Sequence, residues 1–206
     1  MAIDLVSLVD PAHSALVTQE CQKGVLGEHA VFPALAEIAR LQMIPNAARL
    51  AKTARAAGVP VVHCLAMRRP DGLGSNDNAR IFGAARKAPV ALTPGTVAVE
   101  VIPEIGVEDS DVVLSRLHGV GPMQGTDLDP VLRNLGVTTI VGVGVSVNVG
   151  ITNFVMDAIN FGYRFVLPRD AVAGVPEGYA NAMIDNTLSL LATVVTTDEL
   201  VGAWGR

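Results

Sequence analysis

The stretch that most constrains the fold is Thr138 to Asp157, TTIVGVGVSVNVGITNFVMD. It begins with β-branched residues, passes through a glycine-containing turn and continues as a helix. A buried strand that leads through such a turn into a helix is typical of α/β proteins. In these folds ligands bind outside the carboxyl ends of the strands, which is where this turn falls. At Gly150, in the first turn of the helix, there is no side chain that could act as a nucleophile.

The rest of the chain repeats this alternation of strand and helix. Strands are predicted at 14–18, 59–64, 111–116, 138–143, 163–167 and 192–197, and the main helices at about 32–40, 45–57, 127–135, 149–161 and 177–191. The pattern predicts one domain over residues 1–206, a doubly wound, Rossmann-like α/β/α sandwich with a mostly parallel six-stranded sheet. Half of the residues are hydrophobic and 17% are charged, which suits strands covered by helices on both faces.

The composition of the chain also argues against some classes of binding partner. The net charge is −5 and no block of Lys and Arg occurs, which argues against nucleic acid. No apolar run approaches the roughly 20 residues of a bilayer span, and the acidic start MAIDLVSLVD is unlike a signal peptide. We therefore expect a cytoplasmic protein without a membrane or nucleic-acid partner.

Residues 66–96 lack a sustained hydrophobic period and are rich in Gly, Pro, Asn and Asp. A loop of this length in a compact domain is usually functional or part of an interface. It carries Arg68, Arg69, Arg80 and Arg86, which either clamp substrate or, as we prefer, belong to a solvated excursion or a subunit contact.

Three features fall at the predicted carboxyl ends of strands: Glu20, Arg116 and the turn at Gly150. In a doubly wound sheet these ends meet at one crevice. A carboxylate can move a proton, while a fixed cation and helix N-terminal amides stabilise developing negative charge. Together they predict a hydrolytic site.

The segments ALVTQECQKG, ARLAKTARAAGVPVVHC and GTDLDPVLRNLGVTTIVGVGVSVNVGITNFVMDAINFGYRFVLPRDAVAG resemble the isochorismatase-like hydrolase superfamily. The resemblance extends from about residue 15 to residue 200. It implies the doubly wound fold, hydrolysis of small metabolites and assembly into homodimers or larger homo-oligomers.

The usual triad of that family is Asp, Lys and Cys, and this chain departs from it at all three positions. Glu20 takes the aspartate position, and Gly150 takes the cysteine position. Counted from the start of the third strand, the lysine position is Arg116, whereas counting back from Gly125 gives Leu117. Without the thiol, the thioester route is closed at position 150. Isochorismatases in the family also carry glycine there, which implies acid/base chemistry by Glu20 on an anionic metabolite held by Arg116 and the Gly150 amide.

The resemblance further implies a cis peptide bond at Val145–Ser146, which directs turn amides into the pocket. We therefore include Val145, Ser146 and Val149 among the candidate substrate-binding residues. His118 could enter the crevice, although a lone loop histidine is more often a surface residue. Asn148 is interpreted first as the cap of the following helix and second as a substrate contact.

The remaining titratable groups are assigned structural roles. CLAMRRPDG replaces the family's metal-binding pattern after the second strand, so we expect no metal, and no cofactor is implied. His63, Cys21 and Cys64 are interpreted as buried structural residues, and Asp170 as a partner of loop amides. Three hypotheses stay open: a hydrolase without a cysteine nucleophile, a ligand-binding member that has lost its chemistry, and an amidase that uses Cys21 or Cys64.

Overall fold

The computed structural model describes residues 4–205 and contains one seven-stranded sheet. Its strand pairs are all parallel, and the order is β3-β2-β1-β4-β5-β7, with β6 pairing to the end of β4. The strands are β1 (Ser14–Gln19), β2 (Val61–Ala66), β3 (Val112–Arg116), β4 (Thr139–Val145), β5 (Arg164–Pro168), β6 (Val172–Ala173) and β7 (Thr193–Val195). The predicted parallel sheet is confirmed, and the two-residue β6 is an addition to its six strands.

Helices cover both faces of the sheet. They are α1 (Leu5–Leu8), α2 (Lys23–Leu26), α3 (Pro33–Leu41), α4 (Met43–Ala56), α5 (Arg80–Arg86), α6 (Leu128–Asn134), α7 (Thr152–Asn160), α8 (Glu177–Asn186) and α9 (Thr197–Trp204). One hydrophobic cluster joins the sheet to α3, α4 and α9, and a second joins its other face to α6, α7 and α8. Within the described residues, none of the helices combines the length and apolarity needed to span a bilayer.

Alternation along the strands supplies both clusters. In β1, Leu16 packs into the first cluster, whereas Ala15 and Val17 pack into the second. The predicted apolar face of α4 is also found, because Ala47 and Leu50 are completely buried there.

The direction of winding changes between β1 and β4, which lie side by side at the centre of the sheet. The end of β1 pairs with the end of β4 through Gln19 and Gly144. Gly144 has φ +114°, and a Cβ there would overlap the Gln19 carbonyl oxygen, so only glycine allows this approach. A crevice at this switch point is where a doubly wound sheet binds ligands.

Two predicted boundaries need correction. The stretch 66–96, interpreted as a loop, contains α5, whose apolar residues Ile81 and Phe82 are only partly buried. The helix predicted for 177–191 ends at Asn186, and Leu188–Leu190 forms a separate 3₁₀ turn.

Candidate active site

Glu20, Arg116 and Gly150 line one cavity at the carboxyl ends of β1, β3 and β4. The cavity measures about 150 Å³. Arg116 Nη2 donates a hydrogen bond to Glu20 Oε1, and the exposed fractions of the two side chains are 4% and 21%. The neighbouring Leu117 also lines the cavity. The cavity therefore brings together an acid, a buried cation and the turn after β4.

Glu20 faces the cavity because the chain leaves the strand conformation at this residue. Its φ is +55°, in the left-handed region that non-glycine residues seldom adopt, and its N–H donates to the Cys64 carbonyl at 2.9 Å. Strict alternation of side chains therefore ends with Gln19. Cys21 packs into the hydrophobic core with no exposed surface.

Arg116 is buried, yet Nε and Nη1 have no hydrogen-bond partner among the described residues. Ser75 Oγ, on the segment after β2, is likewise buried and unpartnered, and both residues line the cavity. Buried polar groups are nearly always paired, and each unpaired one costs about 1–3 kcal/mol. A bound acceptor such as a carboxylate would satisfy the two nitrogens of Arg116.

The turn after β4 begins with a cis peptide bond between Val145 and Ser146. It continues as one turn of π-helix, Val147–Ile151, in which the Ile151 N–H donates to the Ser146 carbonyl at 2.9 Å. The interpretation of Asn148 as the helix cap is therefore wrong: Ser146 holds the cap position and Asn148 lies inside the turn.

The candidate substrate-binding residues of this turn separate into two groups. Ser146 and Val149 line the cavity beside Gly150. Val145 is buried in the core cluster, and Asn148 lines a neighbouring groove. Asn148 Oδ1 is buried and has no hydrogen-bond partner in the described part of the chain.

Gln19 fills the space that a side chain on residue 150 would need. A Cβ on Gly150 would overlap Gln19 Nε2 and would lie 3.2 Å from the carbonyl oxygens of Val120 and Val145. Gln19 is completely buried, its Nε2 donates to the Val120 carbonyl at 3.1 Å, and its Oε1 has no partner among residues 4–205. The sequence analysis missed this residue, although an amide at the end of an apolar strand indicates a specific hydrogen bond.

His118 also lines the cavity, at its exposed side. Its Nε2 is 3.1 Å from the Gly125 carbonyl, so that nitrogen carries the proton in this hydrogen bond. The next residue, Gly119, donates its N–H to Asn76 Oδ1 at 2.7 Å. The loop after β3 is thus tied to the segment that carries Ser75. Arg68 lines the cavity as well, whereas Arg69 forms an exposed pair with Asp71.

Comparison with known proteins places this geometry in a family. Residues 14–199 match the family described as the isochorismatase domain. The chain belongs to the isochorismatase family.

The matches to this isochorismatase-family protein include a relative of similar length and solved structures of similar fold. The isochorismatase family protein YecD of Escherichia coli O157:H7 is 29% identical over 199 residues, covering 92% of this chain and 95% of its own. A cysteine hydrolase from Pseudomonas syringae pv. phaseolicola 1448A has a TM-score of 0.84 at 23% identity, over 96% of this chain and 95% of its own. N-carbamoylsarcosine amidase from Thermoplasma acidophilum has a TM-score of 0.73 at 27% identity, over 90% of this chain and 97% of its own.

The two cysteines of this isochorismatase-family chain are both buried and free. Burial raises the pKa of Cys21 and of Cys64 to about 12. Only a minute fraction of either thiol is ionised at neutral pH, and the thiolate is the reactive form. Neither residue lines the cavity that holds Glu20.

His63 and Asp170 have structural partners, as expected. His63 lies between Thr18 Oγ1 at 2.9 Å and Asp111 Oδ2 at 3.2 Å, with no exposed surface. Asp170 Oδ1 accepts from the backbone N–H of Thr197 at 2.8 Å, at the start of α9. Among the described residues, no three His, Cys, Asp or Glu side chains are grouped so that they could hold a metal ion.

Proposed function

We propose that this isochorismatase-family protein hydrolyses a small anionic metabolite without a covalent intermediate. Arg116 binds the negative charge, and Glu20 moves the proton. The observation that carries the proposal is the pair of buried nitrogens on Arg116 that have no partner within residues 4–205, beside a carboxylate that solvent can still reach.

Charge supports an anionic ligand. The whole chain carries −5, but the charged residues that line the cavity are Arg68 and Arg116 against Glu20 alone. The remaining donors of Arg116 suit a carboxylate or a developing oxyanion, because charge-assisted hydrogen bonds are the stronger ones. Gly150 lines the cavity beside Ser146 and Val149, while Gln19 occupies the space on its side-chain side.

Glu20 can complete a hydrolytic cycle alone. Its carboxylate takes a proton from the attacking water as the water oxygen bonds to the substrate carbon, and the resulting carboxyl group donates that proton to the leaving atom as the scissile bond breaks. The carboxylate is thereby regenerated and no bond to the protein forms. This route needs no nucleophile at position 150, whose side-chain space Gln19 occupies.

A second candidate is a ligand-binding member without turnover. The absence of a side chain at Gly150 favours it, since the same unpaired donors of Arg116 would hold an anion that is never cleaved. An amidase that uses Cys21 or Cys64 is suggested by the amidases among the relatives, but the burial and raised pKa of both thiols argue against it.

The test is turnover of isochorismate, small enol ethers and carbamoyl amides by wild type and Glu20→Gln. We expect Glu20→Gln to lower kcat by about 10²-fold or more, with binding of the same substrate changed much less. Glu28→Gln, at an exposed acid outside the cavity, is the control and should keep the wild-type rate. A full rate in Glu20→Gln would show that the mechanism is wrong. An anionic metabolite that copurifies and is not cleaved would favour the ligand-binding candidate.

A further inference from the structure

The walls of the cavity differ in chemistry from its charged floor. Apolar side chains line it from α3 and the residue before it (Leu35 and Phe32), from α5 (Ile81 and Phe82) and from the segment after α5 (Leu92). All except Leu35 are only partly buried by the protein. A ligand that consisted of an anionic group alone would leave this apolar surface in contact with water.

We propose that the substrate is an amphipathic monoanion, with its charged group on Arg116, an apolar body of about one six-membered ring between α3 and α5, and a hydrogen-bonding group at Ser75. The proposal rests on the function proposed above and adds the class of substrate.

The size of the apolar body follows from the volume of the cavity. About 150 Å³ is available, and an apolar cavity of about that size in another protein binds benzene. Each methylene buried there should strengthen binding about fourfold, from roughly 0.8 kcal/mol per CH₂. A ligand that carries this apolar body should therefore bind more tightly than a compact ion such as acetate, which lacks it.

The single charge follows from the balance of groups around the cavity. Arg68 and Arg116 together oppose one acid, Glu20, which leaves one positive charge for the ligand. A dianion would bring its second charge against the apolar wall, where an unpaired ion is costly.

The third part of the ligand follows from Ser75. Its Oγ is buried at the cavity without a partner among the described residues. The segment that carries it is held in place by the hydrogen bond between Asn76 Oδ1 and the Gly119 N–H. A hydroxyl or amino group on the apolar body would pair with Ser75 Oγ and remove the cost of burying it unpaired.

The test measures dissociation constants by calorimetry for benzoate, benzamide, acetate, phthalate and the three hydroxybenzoates. We expect benzoate to bind at least tenfold more tightly than acetate, benzamide or phthalate. At least one hydroxybenzoate should bind more tightly than benzoate, and Ser75→Ala should remove that gain. Ser189→Ala, on an exposed serine after α8, should keep it.

Failure of this inference is distinguishable from failure of the proposed function. If acetate binds as tightly as benzoate, the apolar body is wrong and the anion site stands. If benzamide binds as tightly as benzoate, the anion site itself is wrong. If wild type and Ser75→Ala prefer hydroxybenzoate over benzoate by the same factor, Ser75 does not bind the hydroxyl group of the ligand.

Discussion

Two largely buried acid–arginine pairs lie at opposite ends of β3, Arg55–Asp111 at its start and Arg116–Glu20 at its end, and they differ in how completely they are hydrogen-bonded. Arg55 donates to Asp111 through Nε at 3.2 Å and Nη2 at 2.6 Å, and Nη1 donates to the Ile105 carbonyl at 3.1 Å. Asp111 also accepts from the Glu108 N–H at 2.8 Å and lies 3.2 Å from His63 Nε2. Every nitrogen of this guanidinium has a protein partner.

The second pair, Arg116 and Glu20, leaves two nitrogens of its guanidinium without a protein partner among the described residues. Removing one partner of a buried, fully hydrogen-bonded ion pair is strongly destabilising, because it leaves the other charge buried without compensation. A buried arginine that lines a cavity and keeps unpaired donors is instead a candidate for binding a ligand. Pairing, more than burial or charge, therefore distinguishes Arg55–Asp111 from Arg116–Glu20, the pair that we propose binds a ligand.

The largest effect is expected on the structural pair. Arg55→Met leaves the Asp111 carboxylate, whose side chain is 1% exposed, without its counter-charge, at a cost of about 3–5 kcal/mol in the free energy of unfolding. Urea denaturation measures it. Arg49→Met, which breaks an exposed pair with Asp198, is the control and should cost no more than about 1 kcal/mol. Equal losses in the two variants would contradict the structural assignment of the first pair.

The next effect tests whether Gln19 fills the space at position 150. Gly150→Ala should destabilise the protein by about 1–3 kcal/mol through overpacking. The same change in a Gln19→Ala background should cost at least about 0.5 kcal/mol less. If the space is in fact free, Gly150→Ala should instead stabilise the helical turn by about 0.5–1 kcal/mol. Urea denaturation of the four proteins of this cycle decides between the two results.

Because His63 lies beside Asp111, we also expect the stability of the protein to depend on pH. Burial lowers the pKa of His63 below its ordinary value of 6.5 and outweighs the opposing hydrogen bond to Asp111. The unfolded chain therefore binds this proton more readily, so stability is full above about pH 6.5 and is lost as the pH falls towards the folded pKa. One proton contributes a slope of at most about 1.4 kcal/mol per pH unit.

His63→Gln should remove this part of the slope between pH 7.5 and pH 5, as measured by urea unfolding at each pH. His29→Gln, at an exposed histidine outside the network, should leave the slope unchanged. An unaltered slope in His63→Gln would mean that the buried imidazole does not resist protonation.

The smallest effect is expected on turnover when the two cysteines are replaced. Both have a pKa of about 12, so a Cys21→Ala, Cys64→Ala double variant should turn over its substrate at the wild-type rate. In the wild type, a thiol reagent should label neither cysteine until the protein is unfolded. Loss of turnover in a double variant that remains folded would restore the amidase hypothesis.

The sequence predicts the meeting of Glu20, Arg116 and the turn at Gly150, because the carboxyl ends of parallel strands share one edge of a sheet. It could not predict the role of Gln19, because the left-handed conformation of Glu20 interrupts the alternation of side chains at that point. Asn148 was misassigned because a π-helical turn begins two residues before the helix that the pattern predicts.

Helix α5 also escaped prediction, for a different reason. It has only seven residues, Arg80–Arg86, and one of them is Gly83, a residue type that lowers the stability of a helix. Ile81 and Phe82 are only partly buried and line the cavity. The sequence of this segment therefore gives little indication that it forms a helix or that the helix lines the cavity.

The comparison between the two pairs is tested most directly by Arg116→Met, measured beside Arg55→Met for both stability and binding of benzoate. Glu20 is 21% exposed and can be hydrated when its partner is removed. We therefore predict a loss in the free energy of unfolding clearly smaller than that of Arg55→Met, together with a loss of benzoate binding of at least about 100-fold, roughly 2.7 kcal/mol. An Arg116→Met protein that unfolds as readily as Arg55→Met, or that still binds benzoate, would contradict the assignment of Arg116 to a ligand site.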